Sequence, residues 1–165
     1  MAQSLATSTT TTKRLKTLNE VPLYTAIIVV LEFLFLSLPN VSLTPLLFAV
    51  YFKARSYRQS MYVITIYMLV EILQWGYSLW VIPMWVGWIV WLVMVKRLRL
   101  WLPVSGALFA YIYGALFMPL TVIVYGVDWW GYLVADFPFA TTMAIGNVLT
   151  LSLLHPRLTK LLTSY

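Results

Sequence analysis

The sequence predicts an all-α integral membrane protein, a six-transmembrane-helix bundle with its N and C termini cytoplasmic. Composition is the first reason. The chain is 62% hydrophobic and 10% charged, with a mean hydropathy of +0.86, whereas a soluble domain is about one-quarter charged. The second reason is where the 11 Lys and Arg residues fall. They form four clusters: Lys13, Arg14 and Lys16; Lys53, Arg55 and Arg58; Lys96, Arg97 and Arg99; Arg157 and Lys160. The third is that each interval between clusters holds enough apolar sequence for a pair of crossings. Cytoplasmic loops collect Lys and Arg, so the clusters orient the chain. A net charge of +6 therefore maps a topology and gives no reason to invoke nucleic acid.

Taken in order, residues 1–20 are Ser/Thr-rich and then basic, which suits a flexible cytoplasmic tail. No small-residue cleavage pattern marks them as a signal peptide. Residues 21–165 form a single six-helix membrane domain. The first span covers about Val21 to Leu38 and ends at the turn signal Pro39-Asn40. The second, about Val41 to Phe52, is too short to cross upright, since a crossing needs about 20 residues. It reads as a short or partly re-entrant span whose irregular start is buried in protein. The third and fourth, about Met61 to Tyr77 and Leu79 to Val95, meet at a tight turn of Gly76, Tyr77 and Ser78. The fifth runs from about Trp101 to Tyr125, the stretch Gly126–Gly131 forms the last outer loop, and the sixth covers about Tyr132 to Leu154. Pro138 is expected to kink or delay that last helix. Residues 155–165 form a cytoplasmic end.

Gly106, Ala110 and Gly114 recur every fourth residue, as do Ala140 and Ala144. Such small-residue stripes let helices approach closely. Packing within the chain is the simpler reading, and a docking face for another subunit is the alternative.

With every cation assigned to the inner surface, the five acids define where chemistry can sit. Glu20 is interfacial, Asp128 lies in the last outer loop and Asp136 lies a little way into span six. Glu32 and Glu71 fall inside spans one and three, roughly 10 Å below the outer surface at 1.5 Å per residue. A carboxyl inside the bilayer costs about 2.5–3.5 kcal/mol, so its default reading is functional; a protonated carboxyl hydrogen-bonded within the bundle is the alternative. Gln74 and Trp75 share a helical face with Glu71. Span four adds Trp85, Trp88 and Trp91, and Trp129 and Trp130 adjoin Asp128. Aromatic faces with carboxylates suit a neutral or cationic ring-bearing ligand, although interfacial belts also account for several of these tryptophans.

Enzymatic chemistry finds little support. The sole histidine, His155, sits at the inner end of span six, away from any nucleophile at site depth. There is no Gly-x-Ser-x-Gly turn, no His pair at metal spacing and no phosphate-cradling Gly loop. The absence of cysteine removes disulfides and thiolate chemistry. The expectation is a non-enzyme without cofactor or metal.

The basic N-terminal tail, the segment Leu38-Pro39-Asn40-Val41 and the short second span resemble the substrate-binding S components of energy-coupling factor (ECF) vitamin transporters. The closing stretch is similar to the last helix of that superfamily: Asp136-Phe137-Pro138-Phe139, Ala144-Ile145-Gly146-Asn147 and His155-Pro156. The resemblance implies a six-helix bundle in the bacterial plasma membrane that binds a small water-soluble vitamin or precursor from outside. It further implies association with a transmembrane coupling subunit and two cytoplasmic ATPase subunits. The family's ligand region corresponds to Glu71, Gln74, Trp85, Trp88, Asp128, Trp129, Asp136 and Asn147. For docking, the family's first helix usually carries two alanines four apart; here Ala26 is followed by Val30, and Ala140 and Ala144 offer a second small-residue face. The residue chemistry favours a thiamine-like or corrinoid ligand over an anionic vitamin. Two other readings stay open: a structural or regulatory membrane subunit without ligand, and a stand-alone carrier using Glu32 or Glu71 as a proton site.

Overall fold

The computed structural model describes residues 20–35, 42–98 and 100–163. The first basic cluster, Arg99 and the Leu38–Val41 turn lie outside the described residues. Those residues are all-helical, with no strand among them: α1 (20–35), α2 (Thr44–Ala54), α3 (Tyr57–Trp75), α4 (Val81–Arg97), α5 (Leu102–Tyr125), α6 (Trp129–Leu153) and α7 (His155–Thr163).

Local chemistry sets the boundaries. Ser56 and Gln59 form a reciprocal capping box, which starts α3 four residues before the expected Met61 by satisfying otherwise orphaned N–H groups. Asp128 caps α6 by accepting from the Gly131 N–H at 2.8 Å. The last loop therefore closes to residues 126–128, where a longer Gly126–Gly131 loop was expected. Gly126, at φ 66°, ends α5 in the left-handed region that glycine enters without steric cost. Pro138 does not delay α6, which runs through it from Trp129 to Leu153. A hydroxyl one turn on reaches back, with Thr142 Oγ1 donating to the Pro138 carbonyl at 2.9 Å. Within the closing stretch 155–165, for which the sequence predicts no element of its own, His155–Thr163 form the amphipathic helix α7.

α2 is the hub. Its 11 residues span about 16 Å, and every side chain from Thr44 to Phe52 is buried. It packs on α3, α4, α6 and α7. Polar ties fix it further: Trp91 Nε1 donates to the Pro45 carbonyl at 2.9 Å, and Tyr24 Oη donates to the Leu47 carbonyl at 2.8 Å. Each tie satisfies a carbonyl or donor that would be costly to bury alone.

α5 and α6 form the most extensive helix pair. Their contact uses the small-residue stripe: Gly106 faces Leu151 and Asn147, and Gly114 faces Asp136. Asn147 Nδ2 donates to the Gly106 carbonyl at 2.9 Å, and Tyr132 Oη to the Gly114 carbonyl at 2.9 Å. Among the described residues, α5 and α6 are the two helices long and apolar enough to cross a membrane. In their most apolar stretches only 11% and 17% of residues are buried. A soluble core helix hides its apolar residues; these helices present theirs outward, as a lipid-facing helix does.

The second and third basic clusters meet at one end of the bundle. Lys96 Nζ donates to the carbonyls of Phe52 and Arg55, which binds the end of α4 to the end of α2. Arg97 Nε donates to Tyr57 Oη at 3.2 Å, and Arg55 pairs with Glu20 at 3.0 Å.

Candidate functional site

The most polar feature of the interior lies where α1 meets α3. Tyr67 and Glu71 are four residues apart and share one face of α3, and both are buried. Tyr67 Oη donates to Glu32 Oε2 of α1 at 2.7 Å. The Glu32 and Glu71 side chains come together on the wall of one small cavity. That cavity, of about 30 Å³, is lined by Val29, Glu32, Phe33, Glu71, Gln74 and Trp75. That is room for a water or two, and no more.

Behind this cluster stands a wall of rings. Trp88 is buried against Phe48 at 4.7 Å, Phe109 at 5.7 Å, and Tyr67 and Tyr113 at 5.8 Å between centroids. Tyr67 meets Trp88 edge-on, so one side chain joins the carboxyls to the aromatic core. Among the described residues, Trp88 Nε1 is buried without a hydrogen-bond partner.

A second concavity lies between the first turns of α4 and the last turns of α5. It measures about 300 Å³, is open on its outer side, and is lined only by apolar side chains from Leu79 to Val86 and from Leu116 to Val124. Lys96 and Arg97 sit at the opposite end of α4. Its size falls at the lower edge of small-molecule sites.

The residues expected to bind ligand are divided among four places. Glu71 and Gln74 line the small carboxyl cavity, and Trp88 stands one ring away from it through Tyr67. Trp85 is exposed on α4. Asp128 and Trp129 sit at the exposed start of α6, where Asp128 uses one carboxylate oxygen as a helix cap. Asp136 and Asn147 lie in the α5–α6 seam, where Asn147 is buried in its bond to Gly106. Of the expected docking residues, Ala140 and Ala144 are buried within the chain, whereas Ala26 and Val30 are exposed on α1.

Sequence reasoning missed Tyr67, which organises the carboxyl pair. Its i, i+4 relation to Glu71 was a usable signal. It also missed Phe48, Phe109 and Tyr113, whose roles depend on which helices meet. Among the described residues, no three His, Asp or Glu side chains come together in a way that could hold a metal ion. No family model, curated protein or solved structure matches the chain.

Proposed function

We propose that the chain is the substrate-binding S component of an ECF-type transporter, a six-span bundle of the bacterial plasma membrane with both termini cytoplasmic. It binds a small vitamin or precursor and relies on a coupling subunit and two ATPase subunits for energy. The observation that carries this reading is the groove of about 300 Å³ between α4 and α5. It lies at the end of these helices remote from Lys96 and Arg97, the outer end under the positive-inside rule. A groove of this size suits a thiamine-sized ring system far better than a corrinoid. Its apolar lining gives a charged partner to neither sign of ligand, and the preference for a neutral or cationic over an anionic vitamin rests on the sequence at this end, which carries Asp128 and no Lys or Arg. The exposed Ala26 and Val30 on α1 supply the docking face for the coupling subunit.

Quenching of tryptophan fluorescence across a panel of vitamins tests this proposal. Saturable quenching by a neutral or cationic ring compound is expected, and Val86→Trp should abolish that binding by filling the groove while the protein still folds. Tight binding of anionic vitamins alone would overturn the ligand assignment.

A second reading is favoured by the Glu32–Glu71 pair. Two facing carboxyls inside an apolar bundle are a site where a proton-coupled carrier would hold its proton.

A further inference from the structure

Four helix ends converge at one end of the molecule, and they bring cations with them. Lys53 closes α2, Arg58 opens α3, Lys96 and Arg97 close α4, and α7, which packs on α2, carries Arg157. The contacts of Lys96 with the end of α2 and of Arg97 with Tyr57 make these ends one face. Among the described residues the acid on this face is Glu20, which is paired with Arg55. Lys53, Arg58, Arg97 and Arg157 are exposed.

The level of the face along the bundle decides what it meets. α7 begins directly after the last turn of α6, which is long and apolar enough to cross a membrane. Next to Arg97 the chain exposes Leu98, Leu100 and Trp101. Cations beside exposed leucines and a tryptophan mark the headgroup level, where Trp sits with one edge apolar and the other wet. α7 itself is strongly amphipathic and basic, the character of a helix lying in the interface plane. Tyr57 and Tyr62 hold three of the basic side chains over their rings, with Lys96 at 5.2 Å, Arg97 at 6.0 Å and Arg58 at 5.7 Å from the centroids. Those contacts keep the cations against the protein surface and reduce what they lose on meeting a phosphate.

We infer that this face binds the phosphate headgroups of anionic phospholipids, held between the ends of α2, α3 and α4 and the basic side of α7. The inference rests on the membrane reading and is independent of the ligand assigned to the α4–α5 groove.

The test uses the full chain purified in a neutral detergent, with dioleoyl phosphatidylglycerol or dioleoyl phosphatidylcholine added to the micelles. Retained lipid is counted by native mass spectrometry, and thermal unfolding is followed in parallel. Phosphatidylglycerol should be retained preferentially and should raise the melting temperature, and added salt should erase both effects. Each interfacial cation is expected to weigh about fivefold in the preference. The triple variant Lys53→Gln, Arg97→Gln, Arg157→Gln should therefore lose on the order of a hundredfold in that preference, with its stabilisation by phosphatidylglycerol read against its own melting temperature in phosphatidylcholine, because Arg97 also bonds Tyr57. Equal retention of both lipids would overturn the inference. So would a triple variant that keeps the preference, or stabilisation of equal size by inorganic phosphate or by polyglutamate. Those last two results would assign the face to soluble anions or to an acidic protein.

Discussion

Gly106 has no room for a side chain: a Cβ placed there would lie 2.4 Å from Leu151 Cδ1 and 3.2 Å from Asn147 Cβ. Leu151 can turn its methyl aside, but the Asn147 Cβ is fixed to the backbone of α6. Gly106→Ala is therefore expected to push α5 and α6 apart, lengthen the Asn147–Gly106 hydrogen bond and cost about 1–3 kcal/mol as overpacking. A lowered melting temperature of the purified variant checks this, and an unchanged one would refute the close approach. The stripe of Gly106, Ala110 and Gly114 was legible in the sequence because spacing alone puts small residues on one face. The destination of Asp128 was not. Aspartate before a helix serves equally as a ligand or as a cap, and only the Gly131 N–H in its final position decides between them.

At the scale of elements, the helices were legible and their ends were less so. Apolar runs located α3 to α6, and the short second span appears as the enclosed helix α2. Enclosure explains its composition, since a helix buried on all sides is apolar on all sides. α7 was missed because its apolar face is only a few residues wide and becomes visible through its packing on α2 and α6. His155 begins α7, and its Nε2 is buried without a partner among the described residues. Burial, and then the nearby charge of Lys53, hold this imidazole below the ordinary histidine value. The folded state thus binds the proton less readily than the unfolded state does. Its contribution to stability is complete above about pH 6.5 and falls away as the pH drops through the lower folded value. Amide hydrogen exchange in α7 should accelerate on going from pH 7.5 to pH 5.5, after correction for intrinsic rates, and His155→Gln should flatten that change.

For the whole molecule, the all-helical class was legible because composition and periodicity are properties of the chain itself. The candidate site was legible only in pieces. Glu71 stood out as an acid within an apolar run, yet its partners Glu32 and Tyr67 come from α1 and from the preceding turn of α3, and their meeting is a matter of tertiary packing. The expected outer pocket of acids and tryptophans is divided among the carboxyl cavity, the α5–α6 seam and exposed surface. The groove between α4 and α5 is made wholly of residues that looked like ordinary span. What distinguishes a transporter's binding subunit from a self-sufficient carrier is the company it keeps. The most direct measurement is the stoichiometry of the complex recovered with the tagged full-length chain from its native membranes under mild detergent. The account predicts one copy of the chain with a membrane coupling subunit and two ATPase subunits. Recovery of the chain alone, together with substrate uptake that collapses with the proton gradient while ATP remains, would contradict it.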